Sequence, residues 1–144
     1  MGCTSLNSVS FPTSLKYVNS GAFSGCEQVT GVYITDLAAW SGVHFGYTNG
    51  YDSISNPLYY AKNLYLNGEK VTKVELPEGI ERIGQCAFLG CSDLTHIILP
   101  STINYIEDRA FRHCNNIVSF VVGALAPPNN GRNCGIRNTS CTLY

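Results

Sequence analysis

The most reactive side chains in this 144-residue sequence belong to seven cysteines and three histidines. A cysteine beside a base could act as a nucleophile, and clustered cysteines and histidines could bind zinc. The pair Cys86 and His96 could meet only through the way the chain coils. Cys114 and His113 are neighbours in sequence, so their side chains should diverge. Because no CxxC pair and no activating histidine motif is present, we expect no enzyme, no metal site and no cofactor.

Four of the cysteines recur at a fixed spacing. Cys3 and Cys26 are 23 residues apart, and so are Cys91 and Cys114. A residue at a fixed repeat position stacks on its equivalents in neighbouring repeats, and a small thiol suits a tight turn. We therefore predict free, buried, structural thiols at these four positions.

The other three cysteines lack this spacing. Cys86 precedes an Ala-Phe pair and has no counterpart, since the matching positions hold Gly21 and Arg109. Cys134 and Cys141 lie in an irregular tail. In an exported protein these two could form a disulfide or remain free.

One sequence pattern surrounds the repeated cysteines in three copies. It consists of an apolar strand, Leu-Pro or Phe-Pro, two spaced apolar residues, Ala-Phe and then cysteine, and the copies end at residues 26, 91 and 114. A period between 20 and 50 residues indicates a solenoid. Solenoids present a broad surface, so the function to expect is binding.

Positions three, six and eight after each cysteine are apolar in every copy, which predicts a strand with one buried face. Proline ends this strand, and strands of successive coils should pair in parallel. A short extended segment and a brief helical turn at Ala-Phe should follow, closed by Gly25 or Gly90. The third copy has His113 there, so its turn should differ in backbone conformation.

The cysteine register divides residues 1–144 into coils of a single solenoid domain. The predicted coils are residues 3–25, 26–67 (enlarged), 68–90, 91–113 and 114–144 (irregular). Residue 3 already occupies the last repeat position without a polar cap, which indicates a fragment of a longer solenoid. Uncapped ends could also pair two copies as a homodimer.

The enlarged coil contains its own structural signals. Asp36 can cap a helical turn over residues 37–40, and Asn56-Pro57 reads as the start of a second one. Residues 64–76 should form a hairpin around Asn67-Gly68.

The run LPEGIERIGQCAFLGCSDLT, residues 76–95, resembles the BspA-like leucine-rich repeat of the 23-residue type. Residues 34–68 resemble an element inserted between such repeats. The resemblance covers residues 2–125 and implies an α/β fold, a right-handed β/α superhelix with one parallel strand per coil. It also implies a surface or secreted protein of mucosal bacteria or protists, in a family that includes adhesins.

The outward strand positions, five and seven after each cysteine, are the first candidate binding surface. Tyr33, Ile98 and Val121 are apolar residues at these positions, which is the pattern of a contact patch. Ordinary β-propensity on a pleated surface is the alternative. The candidate binding residues on this surface are Tyr33, Lys73, Glu75, His96, Ile98 and Val121.

Aromatic residues in the enlarged coil are the second candidate. Trp40, Tyr59 and Tyr60 are best explained as core of that coil. Tyr47 and Tyr51, flanked by glycine and asparagine, are the better binding anchors because loops on rigid scaffolds often carry function.

The net charge and the lengths of the apolar stretches limit the classes of partner to expect. The net charge is −1 without a Lys/Arg run, and no apolar stretch has the length of a membrane span, so we expect neither nucleic-acid binding nor membrane insertion. We predict a non-catalytic module of an adhesin-like surface protein, whose partner is a protein or glycan of a host or neighbouring cell. The alternatives are a structural spacer without a ligand of its own and, less favoured, an enzyme or its accessory module.

Overall fold

The computed structural model describes residues 2–47, 54–124, 128–131, 134–135 and 140–143. They form a solenoid of about five turns built from short strands and turns. Helices make up little of it, since the described residues contain only two short ones. In chain order, the elements are β1 (Ser8–Ser10), β2 (Tyr17–Val18), β3 (Gly31–Ile34), α1 (Leu37–Ser41), β4 (His44–Phe45), α2 (Leu58–Ala61), β5 (Leu64–Leu66), β6 (Glu69–Lys70), β7 (Lys73–Glu75), β8 (Arg82–Ile83), β9 (His96–Leu99), β10 (Tyr105–Ile106), β11 (Ser119–Val122), β12 (Asn129–Asn130) and β13 (Ser140–Leu143).

The longer strands form one row of the solenoid, which we call the first row. It consists of two four-stranded sheets, with the orders β1-β3-β5-β6 and β13-β11-β9-β7. All pairs are parallel except the β5–β6 hairpin. The predicted parallel pairing of equivalent strands is therefore confirmed.

The register of the first row follows the repeat. Val9 pairs with Val32, and Ile97 lies between Val74 and Phe120. These are the residues six positions after each cysteine, and their side chains point into the core. Their outward neighbours are also in register, which places Lys73 beside His96 and Ile98 between Glu75 and Val121.

The two-residue strands other than β6 form a second row, which differs from the expectation of one parallel strand per coil. It contains β2 paired with β4, and β12-β10-β8, all in parallel. Backbone hydrogen bonds from Phe45 N to Gln85 O (3.0 Å) and from Gly84 N to Ser41 O (2.8 Å) join the two groups. The extended segments were predicted, but their pairing across coils was not.

Turns rather than helices follow the second row. In coil 1, Ala22 N donates to Asn19 O and Ser24 N to Gly21 O. Two positions in each turn have a left-handed backbone. The first is held by Gly21, Cys86 and Arg109, and the second by Gly25, Gly90 and His113.

The prediction that the His113 turn has a different backbone was wrong. His113 has a φ of 65°, close to the 75° of Gly25 and the 81° of Gly90. The stacking of coils imposes the left-handed conformation there, and the side chain tolerates it. Cys86 likewise has structural counterparts in Gly21 and Arg109, because all three residues share one backbone conformation.

The enlarged coil is held by caps and one buried amide. Asp36 caps α1 as predicted, because its Oδ1 accepts a hydrogen bond from Ala39 N at 3.0 Å. The side chain of Asn56 is fully buried. It accepts a bond from Leu58 N (2.9 Å) and donates to the carbonyls of Cys86 (2.8 Å) and Ala87 (3.0 Å), which ties α2 to the turn of coil 3. Pro57 is the residue that immediately precedes α2.

The predicted hairpin is present around Asn67 and Gly68, both with positive φ. It ends sooner than expected, because only residues 69–70 pair back with β5. Residues 73–75 begin the second four-stranded sheet instead. The hairpin thus separates the first row into two sheets.

The core is a single apolar cluster running along the solenoid axis. The rings of Phe88 and Phe111 stack in parallel, with centroids 5.2 Å apart, and Phe120 contacts Phe111 edge-on at 6.1 Å. Trp40 is buried against Phe45, as its predicted core role requires. This continuous core makes the outward surfaces rigid supports for side chains.

Candidate functional site

We call the outward side chains of the first row the sheet face. Its most exposed large apolar residue is Tyr33, at 39% relative exposure. The rings of Tyr33 and Tyr65, paired residues of β3 and β5, stack with centroids 4.9 Å apart and planes 12° apart. A Cβ atom on Gly31 would lie 2.9 Å from Cε2 of Tyr33, so the Tyr33 ring lies back over Gly31. The two rings form a fixed aromatic pair with their faces against each other, which we call the Tyr33–Tyr65 platform.

Tyr65 was missed as a site residue. The sequence placed it in a hairpin strand, whose alignment with β3 is set by the enlarged coil and not by the 23-residue period. Its position directly after buried Leu64 was the available signal, since side chains alternate along a strand.

The other candidates on the sheet face lie together in the second sheet. Lys73 Nζ and Glu75 Oε2 form an ion pair of 2.7 Å on β7. His96 is exposed and its Nδ1 lies 2.9 Å from Thr95 Oγ1. Ile98 and Val121 are paired across β9 and β11 and are half-buried. The structure therefore brings all five of these outward residues into one in-register array.

The loop candidates are placed differently. Tyr47 is partly buried against the core, and the Arg109 guanidinium lies 3.6 Å from its ring centroid. One face of this ring is thus occupied within the chain. Tyr51 lies outside the described residues.

Outward residues of the second row form a ladder that the sequence analysis did not assign as a site. Tyr17 stacks on His44 with centroids 5.2 Å apart, and Tyr17 is 55% exposed. The Arg82 guanidinium lies 5.2 Å from the ring centroid of Tyr105. The signal was present, because Tyr17, Arg82 and Tyr105 occupy the same position of the repeat.

Glu107 joins this ladder across three coils. Its Oε2 accepts hydrogen bonds from Nδ1 of His44 in coil 2 and from the backbone N–H of Gln85 in coil 3, each at 2.9 Å. Its Oε1 lies 3.0 Å from Nε of Arg82, also in coil 3. The Glu107 side chain is only 17% exposed. Such a carboxylate is fully engaged in holding coils together.

A depression lies among the turns on the side of α2. Its volume is about 280 Å³, and we call it the turn depression. The residues that line it are Tyr59, Lys62, Ser92, His113 and Asn115. Its chemistry is treated below.

The repeat cysteines are free thiols, and three of the four are buried. Cys3 is exposed, contrary to the prediction. Cys134 is also free and partly buried. Its hypothetical partner Cys141 has no described side chain.

Burial makes the inner thiols unreactive. It raises the pKa of Cys86 to about 11 and that of Cys91 to about 12, and it raises the pKa of Cys114 well above its usual value. The thiolate is the nucleophilic form, so these groups are not prepared for catalysis. Cys86 lies in a turn, whereas His96 lies on the sheet face.

Within the described part of the chain, no group of three or more His, Cys, Asp or Glu residues is arranged to hold a metal ion. Over the same residues, no helix has both the length and the apolar character needed to cross a membrane.

Comparison with known families gives one match. The family described as "BspA type Leucine rich repeat region (6 copies)" matches residues 1–57 and 58–126. The match confirms the resemblance seen at residues 76–95, and it extends over most of the chain. A search of curated proteins found no match.

Proposed function

Starting from the fact that the chain belongs to the BspA-type leucine-rich repeat family, we propose that it is a non-catalytic binding module of an adhesin-like protein at a cell surface. Repeat solenoids of this family are typically non-catalytic, and they are often associated with surfaces. The partner is a protein or glycan of a host or neighbouring cell.

The observation that carries this proposal is the Tyr33–Tyr65 platform. Tyrosine is enriched at binding surfaces because it buries a large area at low cost in conformational entropy. Here both rings are already fixed, one over Gly31 and the other by stacking. A ligand that covers the platform would order little of the protein.

The second sheet adds a different kind of contact. Ile98 and Val121 form a short apolar row, bordered by the Lys73–Glu75 pair. An apolar centre with a charged border is the usual arrangement of a protein-binding patch.

A binding screen of the chain against immobilised matrix proteins, mucins and glycans tests the proposal. The key variant is Gly31→Ala, whose added Cβ would displace the end of the Tyr33 ring and leave the strand in place. We expect it to weaken binding about as much as Tyr33→Ala does. A second variant with Ile98→Ser and Val121→Ser tests the apolar row.

Gly123→Ala is the wrong control, because its Cβ would approach the backbone at Ser101 N, 3.1 Å away. Gly42→Ala is better suited, since the φ of Gly42 is −89° and the added Cβ would lie 3.8 Å from Ala39 O, an ordinary contact. Binding that survives both Tyr33→Ala and the double variant would rule out the sheet face as the binding surface.

A spacer role is the second candidate, and the Glu107 network favours it. One carboxylate bonded to coils 2 and 3 from coil 4 stiffens the array, as a spacer needs. Replacing the segment by an unrelated solenoid of equal length distinguishes the two roles. A spacer tolerates this exchange, whereas a binding module loses adhesion.

A further inference from the structure

Two of the residues lining the turn depression have an unusual backbone. Lys62, at the end of α2, has a φ of 61°, and His113 has a φ of 65°. Gly25 and Gly90 close the equivalent turns of coils 1 and 3. The turn of coil 4 therefore carries a side chain, His113, where the equivalent turns of coils 1 and 3 carry none.

Lys62 brings one positive charge to the turn depression. Lys62 and His113 line it, and Arg112 adjoins His113. The pKa of His113 lies below its usual value, chiefly because of partial burial and then because of the positive charges of Arg112 and Lys62. The nearest acidic residue in sequence to Ser92 is Asp93, which is paired with Lys70 at 3.0 Å.

Neutral groups in the turn depression add donors and an aromatic ring. Within the described part of the chain, the side chains of Ser92 and Asn115 have no hydrogen-bond partner. Lys62 Nζ donates one hydrogen bond to Tyr59 O and lies 4.7 Å from the centroid of the Tyr59 ring, which leaves its other N–H groups for a ligand. The His113 ring meets Tyr59 edge-on at 6.4 Å. The Lys62 ammonium, two polar side chains and one tyrosine thus line a shared space of about 280 Å³.

We propose that the turn depression binds a charged sugar residue of a glycan through its sulfate or carboxylate group. Lys62 and His113 would face the anionic group, and Ser92 and Asn115 would bond the sugar hydroxyls. The turn depression is formed by turns and is separate from the sheet face. Sugar binding at the turn depression can therefore be disproved while the function proposed above holds, and the proposed function can be disproved while the turn depression binds a sugar.

A phosphorylated peptide is disfavoured by the backbone around the depression. Extended peptides bind by pairing with a free strand edge or by lying in a groove. Here the backbone is already paired between coils, as in the hydrogen bond from Gly90 N to Arg112 O at 2.8 Å. A compact ligand held by side chains fits this geometry.

Nuclear magnetic resonance titration of the whole chain provides the test. The probes are galactose 6-sulfate, N-acetylneuraminic acid, uncharged galactose, inorganic sulfate and a phosphoserine peptide. We expect at least one charged sugar to shift the backbone amides of Ser92, His113 and Asn115 with saturation, and galactose to shift none. The two charged sugars distinguish a sulfate-bearing from a carboxylate-bearing ligand.

Two variants locate the binding. His113→Gly restores the residue found at the equivalent turns, and Lys62→Asn keeps a residue that tolerates a left-handed backbone, so both should fold. Each should weaken binding about tenfold, as expected for one charge-assisted hydrogen bond. Lys16→Asn, an exposed lysine of coil 1, is the matched control and should change nothing.

Three results would overturn the proposal. One is the absence of any saturating shift at these amides. Another is inorganic sulfate binding as tightly as the sugars, which would show an anion site without sugar recognition. The third is the phosphoserine peptide binding more tightly than either charged sugar.

Discussion

The carboxylate of Glu107 accepts a hydrogen bond from Nδ1 of His44 at 2.9 Å, although 63 residues separate the two in sequence. The same carboxylate bonds Arg82 and the backbone of Gln85 in the coil between them. A single side chain thereby links three coils. This link is specific to the chain, because no repeat motif requires a glutamate there.

Replacing Glu107 should therefore destabilise the solenoid. We expect Glu107→Gln to lower the free energy of unfolding by about 1–3 kcal/mol, because hydrogen bonds to a partly buried charge are lost or weakened. Urea denaturation followed by circular dichroism measures this. Glu81→Gln, at an exposed glutamate of the same region, should change stability by less than about 0.5 kcal/mol. Equal stability of both variants would show that the network contributes nothing.

Replacing Asn56 should reduce the stability of the protein more than replacing Glu107 does. Asn56→Ala leaves the carbonyls of Cys86 and Ala87 without their buried donor, and each unsatisfied group costs about 1–3 kcal/mol. We expect a loss of about 2–4 kcal/mol in urea denaturation. Asn116→Ala removes a comparable but exposed bond, to Ser92 O, and should cost under about 1 kcal/mol. A similar loss in both variants would contradict the role of burial.

The cysteines should react in an order set by burial. Cys3 and Cys134 should be alkylated by iodoacetamide in the native protein, whereas Cys26, Cys91 and Cys114 should react only after unfolding. The raised pKa values of Cys91 and Cys114 leave almost no thiolate at pH 8, and burial keeps the reagent from Cys26. Peptide mapping by mass spectrometry gives the labelling rate at each position. Native labelling of Cys91 as fast as that of Cys3 would refute the packing described here.

His113 should make the protein less stable in acid. Its pKa in the folded state is lowered, so the unfolded chain binds more protons between the two pKa values. Its contribution to stability is therefore complete near pH 7 and is lost as the pH falls through 6.5 and below. His113→Gly should reduce this acid dependence and also relieve about 1 kcal/mol of backbone strain. Thermal unfolding of both proteins between pH 5 and 8 gives the comparison.

If His113→Gly leaves the slope of melting temperature against pH unchanged, titration of another group is responsible. If it lowers stability at pH 7, the histidine side chain contributes contacts that outweigh its strain.

The repeat period predicted the first row well. Val9, Val32, Val74 and Ile97 lie in register as expected, since alternation along a strand and a fixed period determine both face and neighbour. The cap of α1 by Asp36 was also predictable, because it is a local interaction.

Interactions between coils were harder to predict. The ladder that contains Tyr17 and His44 joins different residue types from coils of unequal length, and the period alone does not align them. The backbone conformation of the His113 turn was predicted wrongly. The preference for glycine describes an isolated turn, whereas here the stacked coils hold the backbone in place. The Tyr33–Tyr65 platform was not predicted, because the alignment of β5 with β3 is set by the enlarged coil and not by the repeat period.

The hairpin of β5 and β6 has a mechanical consequence. Strand pairing in the first row stops between β6 and β7, so a pull along the solenoid axis meets no strand ladder there. The load must pass through the second row and the turns, where Gln85, Gly84 and Asn56 carry the bonds between coils. A module that tethers a cell under flow would thus stretch first at this junction, with the Tyr33–Tyr65 platform remaining whole on one side of it.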